Sequence, residues 1–519
     1  MFIQYTMDQL CLPMDLEMDI PPRHVARVIN SFINRLDDSL FTAAYPGGGR
    51  DSYHPKMLTK IIVYAYSQRI YSSRQIAKAV RENIPFMWLA GRQQPDFRTI
   101  NRFRSERMKE QLEKIFAGML ELLMAEGYIK LENYFVDGTK IEANANRYTF
   151  VWGKAVKKQK ARLEEKVKQL FIEIEQQEIQ EDKEHNGKDL LELGGDTDLT
   201  SESMEAALTK LEAKLKSEPK NKTVKKAVRQ LRKDFVPRQQ KYETQLEILG
   251  ERNSFSKTDP DATFMRMKED HMGNGQLKPG YNVQVGTENQ FIVGYSLHQR
   301  PTDTRCLIPH LNKVKETLGR LPKTVIADAG YGGEENYAYL EKENMEALVK
   351  YNSFHKEVSR AWRNDVSRLE NWTYNEDKDI WVCPNGRTLH FIKESKNKTD
   401  SGYGVKLRIY RSENCEGCPF KEKCTKSERS REIRVSMEYL RYKKVAREKL
   451  RSEDGRKLSV QRMIEVESVF GQMKNNRGFR RFLLRGLPKV SLEVGWLSLA
   501  HNLLKVVTTE QKRHIAGQE

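Results

Sequence analysis

Three acidic residues lie where a carboxylate site for divalent metal ions would need them. Asp137 ends the apolar run YFV, Asp328 ends the run TVIA, and Glu467 lies in the amphipathic segment IEVESVFGQMK. Mg²⁺ prefers oxygen ligands and keeps several waters, so two or three converging carboxylates can hold it. Two such ions about 4 Å apart activate an attacking hydroxyl and stabilise the leaving oxygen of a phosphodiester. The three residues therefore predict phosphodiester chemistry with two Mg²⁺ ions, for which Mn²⁺ could substitute.

Strands and a helix must bring these carboxylates to one edge of a sheet. A lone aspartate after a strand is usually a turn residue, and a lone glutamate on a helix is usually solvated, so only the three together are specific. The alternating segment YNVQVGTENQFIVGYSL predicts a β-hairpin, and TVIAD and ALVKY predict two buried strands with helices between them. The segment around Glu467 carries apolar residues on one side and predicts a helix packed on that sheet.

The residues before this sheet are helical in pattern from about 20 to 130. Serines before Arg74 and the residue Thr99 are expected to cap two short helices. Arg74, Arg98 and Arg102 lie near helix starts, as in a helix-turn-helix, where the first residues of a helix meet DNA. The alternative is a plain helical bundle with a solvated basic face.

Two insertions interrupt the sheet pattern. Residues 156–254 are rich in Glu, Lys and Gln with apolar residues at spacings of three and four, which predicts a charged helical hairpin or coiled coil interrupted by the polar loop HNGKDLLELGGDTD. Residues 352–430 predict a small strand-rich insertion that carries four of the six cysteines. These four are Cys383, Cys415, Cys418 and Cys424. Two readings stay open for them, a structural Zn²⁺ site and reduced, partly buried thiols.

The charge of the chain favours a polyanionic partner. The 519 residues contain 90 Lys and Arg against 72 Asp and Glu, a formal net charge of +18, which points first to nucleic acid. No run of about 18 apolar residues is present, which excludes a spanning helix, and no export signal is recognised. We therefore expect a cytoplasmic, nucleoid-associated protein with no membrane partner.

Several motifs together resemble a known family. The segments NYFVDGTKIEANANRYTFVWGKA, SKTDPDATFMRMK with GYNVQVGTENQFIVG, VIADAGYGGEENY and VESVFGQMKNNRGFRRFLLRG are similar to bacterial insertion-sequence transposases of the DDE class. SSRQIAKAVRENIPFMWLAG and PDFRTINRFR resemble the N-terminal helical domain of the same group. The resemblance covers the chain from about Tyr53 to Lys505. It implies an α/β fold, with a ribonuclease H-like mixed-sheet catalytic core.

The resemblance also implies a division of the chain and a role for each carboxylate. The N-terminal helical DNA-binding domain would span 1–130, and the catalytic core 131–155, 255–351 and 431–510, with insertions at 156–254 and 352–430. Asp137, Asp328 and Glu467 would be the three catalytic, metal-binding residues. Glu465 is a weaker candidate for the third, because Glu467 has the spacing to Phe470 that the family motif requires.

Basic residues near the third carboxylate are expected to contact DNA phosphates. Lys474, seven positions after Glu467, matches the basic member of the family's helix motif. The arginine usual four positions before the glutamate is replaced by Met463, and Arg462 lies one position earlier. Further arginines in NNRGFRRFLLRG are placed in sequence to contact phosphates near the cut, the alternative being a basic helix surface with no fixed contact. These are Arg477, Arg480, Arg481 and Arg485.

The resemblance implies an enzyme that binds the terminal inverted repeats of its own element, cleaves the DNA ends and joins them to target DNA. Its partner would be double-stranded DNA, and a homodimer is expected when two ends are held together. Two other functions stay open. One is a non-catalytic DNA-binding regulator or domesticated remnant, and the other is a metal-dependent nuclease without strand transfer.

Overall fold

The fold was analysed in a computed structural model, which describes residues 15–45, 52–182, 199–267 and 275–516. Helices dominate the two ends of the chain, and two β-sheets with a helical insertion lie between them. Within those four ranges, every helix is too short or too polar to cross a lipid bilayer.

The N-terminal part is helical, as the apolar spacing predicts. Its helices are α1 (Val25–Arg35), α2 (Ser39–Thr42), α3 (Pro55–Ser67), α4 (Ser73–Glu82), α5 (Ile84–Leu89), α6 (Phe97–Arg102) and α7 (Leu112–Ala125), with a π-helical turn at Phe103–Arg107. The cap of α6 differs from the prediction. The carboxylate of Asp96 accepts the N–H of Thr99 at 2.7 Å, so Asp96 caps this helix and Thr99 lies within its first turn.

The helical insertion consists of four helices that share their own apolar core. They are α8 (Gly153–Asp182), α9 (Ser201–Ser217), α10 (Lys222–Gln230) and α11 (Val236–Leu249). The apolar stripe of Leu163, Val167 and Leu170 is buried against Val224 and Leu231, which is the contact that the three-and-four spacing predicts. The predicted polar loop HNGKDLLELGGDTD lies outside the described residues.

A six-stranded mixed sheet forms the centre of the molecule. The strands of this part of the chain are β1 (Asn133–Glu142), β2 (Phe150–Trp152), β3 (Ser254–Ser256), β4 (Thr263–Arg266), β5 (Leu277–Glu288), β6 (Phe291–His298), β7 (Thr324–Ala327) and β8 (Glu346–Val349), with α12 (Leu307–Leu318) and α13 (Glu334–Lys342) between the last ones. The sheet order is β4-β5-β1-β7-β8, with β6 also paired to β5, while β2 and β3 form a separate pair. β5 runs antiparallel to β1, and β7 and β8 run parallel to it. This mixed topology is consistent with a ribonuclease H-like core.

The first strand of the sheet is longer than predicted. β1 continues for five residues past Asp137, because Gly138 to Glu142 pair with β5 in an antiparallel ladder. Asp137 therefore lies within a strand and is buried, whereas Asp328 follows directly after β7, as predicted.

The cysteine-bearing region contains a second sheet of five antiparallel strands. It is built from α14 (Arg360–Arg363), β9 (Thr373–Asn375), β10 (Ile380–Val382), β11 (Thr388–Lys398), β12 (Gly404–Ser412), α15 (Lys421–Cys424) and β13 (Glu432–Val435). Its small core contains Trp372, Trp381 and Tyr410. β11 and β12 are longer than their outer neighbours and extend beyond the sheet as a two-stranded ribbon.

Three helices complete the chain: α16 (Met437–Arg451), α17 (Glu453–Gly471), which is followed by a π-helical turn at Gln472–Asn476, and α18 (Leu487–Ala516). α17 packs across β1, β5 and β7, and α18 packs against α3, α7 and β6. The N-terminal helices and the mixed sheet consequently share one continuous apolar core. The domain boundaries drawn from the sequence stay predictions.

Candidate active site

Two aspartates lie side by side on neighbouring parallel strands. Phe135 of β1 pairs with Ile326 of β7, and Asp137 and Asp328 each come two residues later. Neighbouring strands are about 4.8 Å apart, so equivalent positions on β1 and β7 present their side chains close together. Asp137 accepts the N–H of Gly138 at 2.7 Å, and Asp328 accepts the N–H of Gly330 at 2.8 Å, which orients both carboxylates.

A single guanidinium group joins the two carboxylates. Nη2 of Arg462, on α17, lies 3.2 Å from Oδ2 of Asp137 and 3.4 Å from Oδ2 of Asp328. The side chains of Arg462 and Asp137 are 11% and 6% exposed, whereas that of Asp328 is 44% exposed. The pair is therefore buried on the helix side and open to solvent at Asp328, so a ligand can approach it there.

The donor chemistry of this pair fits a hard divalent cation. Two carboxylate oxygens converge on one point, which is now taken by a positively charged nitrogen, and Mg²⁺ commonly binds through one or two carboxylates plus water. Nε of Arg462 is buried, and within the described ranges it has no hydrogen-bond acceptor. An anionic oxygen entering the site would supply one, which is the kind of group that a DNA phosphate carries.

The third predicted carboxylate lies on the same helix but on a different side of it. Glu467 is exposed, and it comes five residues after Arg462, which corresponds to a rotation of about 140° around an α-helix. Glu465 is buried instead, and its Oε2 accepts the N–H of Gln290 at 2.6 Å. Glu465 thus holds the β5–β6 turn. Within the described ranges, no three His, Cys, Asp or Glu side chains form a group that could hold a metal ion.

Three residues beside the aspartates were not predicted. Lys350 follows β8, and its pKa is lowered, first by burial and then by the positive charge of Arg462, while Asp328 opposes the shift. Asp303 accepts hydrogen bonds from Asn282 at 2.7 Å and from Gln284 at 2.8 Å. The hydroxyl of Tyr331 donates to Oε1 of the same Gln284. The position of Lys350 at a strand end was a usable signal in the sequence.

Burial raises the pKa of Tyr331 well above its ordinary value, and the negative charges of Asp303, Asp137 and Asp328 add to the shift in that order. A side chain at Gly138 would collide with Asp303, so glycine beside Asp137 leaves room for the Asp303 network. Asp303 had no signal in the sequence, because its loop reaches the site only through the fold.

Two of the predicted phosphate-binding residues are buried. Lys474 lies in the π-helical turn after α17 and is 7% exposed. Arg477 is buried beside His501, with Nη1 of the arginine 3.2 Å from Nδ1 of the histidine, and its carbonyl accepts the hydroxyl of Tyr71 at 2.8 Å. Burial lowers the pKa of Arg477 to about 10. In this structure Arg477 connects the N-terminal helices to the core.

The other three arginines of this segment are exposed, and two of them are held by backbone carbonyls near the end of β1. Arg481 donates to the carbonyl of Ala143 at 3.2 Å, and Arg485 donates to that of Asn144 at 2.7 Å. Arg480 donates to Asn475 at 2.9 Å. All three side chains are exposed, and Arg481 also lies 3.9 Å from Glu142, so phosphates can approach these residues from solvent.

The predicted N-terminal arginines line a groove that also reaches the C-terminal part of the chain. Arg74, Arg98 and Arg102 are exposed, and their groove is closed on its other side by Leu483 and Leu484. The two leucines lie between Arg481 and Arg485 in sequence, so the N-terminal and C-terminal basic residues meet at one surface. The guanidinium groups of Arg74 and Arg98 both lie over the ring of Phe97, at 5.1 and 5.7 Å from its centroid.

The four clustered cysteines lie within electrostatic range of one another. Burial raises the pKa of Cys424, and the charges of Cys383, Cys415 and Cys418 raise it further, after an opposing effect of Arg431. All four are free thiols. They do not form a metal-binding group in the structure as described, so a structural Zn²⁺ ion stays a prediction.

Two stretches of the chain match models of known protein families. Residues 382–507 match the family described as Transposase DDE domain, and residues 14–106 match Transposase domain (DUF772). The chain is an insertion-sequence DDE transposase. The resemblance seen in the sequence is thereby confirmed. The first match includes Arg462 and Glu467, whereas Asp137 and Asp328 lie outside both matches. No curated protein matches this transposase.

Proposed function

We propose that this transposase binds the terminal inverted repeats of its element, cleaves the DNA at their ends and joins the ends to target DNA at the Asp137–Asp328 pair. The observation that carries the proposal is the convergence of these two carboxylates on a single cationic nitrogen at an open edge of the mixed sheet. Two fixed acidic side chains beside a solvent-accessible edge are suited to phosphodiester chemistry at a bound metal ion.

The chemistry consists of two in-line displacements at phosphorus. In the first, water attacks the phosphodiester at the element's end, the bond from phosphorus to the 3′ oxygen breaks, and that oxygen takes up a proton. In the second, the freed 3′-hydroxyl gives up its proton and its oxygen attacks a phosphodiester of the target. The bond from that phosphorus to the target's own 3′ oxygen breaks, and the released target oxygen takes up a proton. Bound Mg²⁺ would activate the attacking oxygen and neutralise charge on the leaving oxygen. Asp137 and Asp328 would hold the metal. Glu467 is proposed as the third carboxylate from the family motif alone, since the structure leaves it exposed on another side of α17.

Arg462 has two roles in this proposal. With no metal bound, its guanidinium compensates the two carboxylates that it contacts. With DNA bound, its buried Nε–H would donate a hydrogen bond to a phosphate oxygen next to the scissile bond. Lys350, which follows β8 and lies within electrostatic range of Asp328, is a second cation that could orient the same phosphate.

The groove lined by Arg74, Arg98 and Arg102 is proposed to hold the terminal repeat. Its charge suits a phosphate backbone, and it ends at Leu483 and Leu484, next to the exposed arginines near the end of β1. We also propose that two copies act together, since two ends must be held at once for joining.

The decisive experiment measures cleavage and binding separately. A labelled duplex that carries the element's own terminus is incubated with Mg²⁺, Mn²⁺ or EDTA, and binding is measured by fluorescence anisotropy. We expect metal-dependent cleavage at the end by the natural protein. We expect a loss of at least about a thousandfold in Asp137→Asn and Asp328→Asn, because each removes a charged metal ligand, with binding largely retained.

Three outcomes of this experiment would favour other functions. Normal cleavage by Asp137→Asn would show that the site is elsewhere. Repeat binding with no cleavage by the natural protein would favour a DNA-binding regulator. Cleavage without a joined product, when a target duplex is supplied, would favour a nuclease.

A further inference from the structure

The ribbon of β11 and β12 carries a row of lysines on one face. Lys396 of β11 lies directly opposite Lys406 of β12, and Lys398 follows two residues later on the same face. All three side chains are exposed. We call these three residues the lysine face. Within the described ranges, none of them forms an ion pair with a carboxylate.

The lysine face costs stability unless something neutralises it. Like charges directly opposite each other on neighbouring strands are destabilising. Two residues closer to the sheet, at Arg408, the same face of the ribbon carries a compensated charge, because Arg408 lies opposite Glu394 and pairs with Asp379 at 2.6 Å. The lysine face lacks such a partner, which is the arrangement expected of a surface that meets a polyanion.

The tip of the ribbon is anchored beside the Asp137–Asp328 pair. Asp400 pairs with Arg305 at 2.5 Å, Ser401 donates to Glu335 at 2.5 Å, and Tyr403 donates to Glu334 at 3.4 Å. Both glutamates begin α13, only six and seven residues after Asp328. The ribbon is therefore held at both of its ends, by the five-stranded sheet at one end and by Arg305 and the first turn of α13 at the other.

We propose that the lysine face binds the phosphate backbone of the duplex DNA whose scissile bond lies at Asp137 and Asp328. This inference rests on the proposed function and adds a DNA contact in the cysteine-bearing insertion. The contact is to phosphates, so it is independent of base sequence, and it fixes the direction in which the duplex leaves the site. The insertion would thus guide DNA in addition to stabilising its own fold.

The test compares two triple substitutions with the same change in charge. Lys396, Lys398 and Lys406 are replaced by Gln in one variant. In the matched control, the exposed residues Lys216, Lys220 and Lys225 of the helical insertion are replaced by Gln. Binding of the element's terminal duplex and of a shuffled duplex is measured over a series of KCl concentrations.

Each phosphate contact contributes about 0.9 to the slope of log K against log salt. We expect the slope of the lysine-face variant to be shallower by roughly 2 to 3 for both duplexes, and that of the control to be unchanged. Replacement of the same three lysines by Arg should restore the slope. An unchanged slope in the Gln variant would overturn the proposal, because the lysines would then only keep the ribbon edges from pairing with other chains.

A hydroxyl-radical footprint tests the placement. The lysine-face variant should lose protection at phosphates adjoining the cleaved bond, and loss only at distant phosphates would contradict the placement beside Asp328. Cleavage by the natural protein separates the two proposals. If cleavage occurs and the slope is unchanged, only the lysine face is refuted. If the slope falls and no cleavage occurs, only the proposed chemistry is refuted.

Discussion

Nη2 of Arg462 lies 3.2 Å from Oδ2 of Asp137, and this contact brings a cation from helix α17 to a carboxylate inside strand β1. The arginine compensates a buried negative charge that would otherwise be costly. A metal ion at the aspartate pair would compete for the same oxygens. If the pair binds metal as proposed, Arg462 would link the stability of the metal-free protein to its affinity for metal.

Replacement of Arg462 by Ala should destabilise the metal-free protein and strengthen its response to metal. Removing one partner of a buried pair leaves an uncompensated charge, and the partial exposure of Asp328 reduces the cost to about 2 kcal/mol. The measurement is the melting temperature of Arg462→Ala and of the natural protein, each in EDTA and in Mg²⁺. Mg²⁺ should raise the melting temperature of Arg462→Ala more than that of the natural protein.

The control for this prediction is Lys457→Ala on the same helix, where the lysine forms an exposed pair with Glu453. It should melt like the natural protein. An equal response of Arg462→Ala and Lys457→Ala to Mg²⁺ would mean that Arg462 and the metal do not share a site.

Substitutions at Glu465 and Glu467 of α17 should separate chemistry from stability. Glu467→Gln is expected to abolish end cleavage, because it removes the proposed third carboxylate. It should change the melting temperature little, because the side chain is exposed. Glu465→Ala should lower the stability by about 1–3 kcal/mol, because it leaves the N–H of Gln290 without its acceptor. The measurements are the melting temperature and the single-turnover cleavage rate of both variants. Cleavage that survives in Glu467→Gln would remove this residue from the site.

Replacement of Arg98 should affect DNA binding, whereas replacement of Arg477 should affect stability. Arg98→Ala should reduce the slope of log K against log salt by about 0.9 and leave the melting temperature unchanged, since its side chain is exposed in the groove. Arg477→Ala should lower the melting temperature, because the buried arginine contacts His501. Arg229→Ala, on the exposed side of α10, is the control for binding and should change neither quantity.

Glu493 should make stability depend on pH. Burial raises its pKa from 4.5 to about 7, against the lowering effect of the N–H groups of Leu483 and Leu484, which donate to it. A raised pKa means that the folded state favours the protonated form. The stability gained from this group is therefore full below about pH 4.5 and is lost as the pH rises through about 7.

The change attributable to Glu493 should reach roughly 3 kcal/mol at most. Melting of the natural protein and of Glu493→Gln at a series of pH values measures it. The natural protein should lose stability relative to the variant between about pH 5 and pH 8. Parallel pH profiles for the two proteins would show that Glu493 ionises normally when folded.

The local patterns of the sequence predicted much of the fold. The alternation in YNVQVGTENQFIVGYSL gave the β5–β6 hairpin, and the stripe of Leu163, Val167 and Leu170 gave the buried side of α8, since both depend on the period of one element. The extent of β1 was not predicted, because its second half is held by pairing with β5, which is distant in sequence.

What the sequence determined by itself was the chemistry available to this transposase: carboxylates after apolar runs, arginines in clusters and an excess of positive charge. Only the tertiary structure decided which of these groups meet. The rotation of α17 on the sheet directs Arg462 toward the aspartates and leaves Glu467 exposed, and the docking of the N-terminal helices buries Arg477. The tertiary structure also anchors the tip of the ribbon that carries the lysine face to Arg305 and to the start of α13. These contacts depend on packing between segments hundreds of residues apart, and local sequence patterns do not determine that packing.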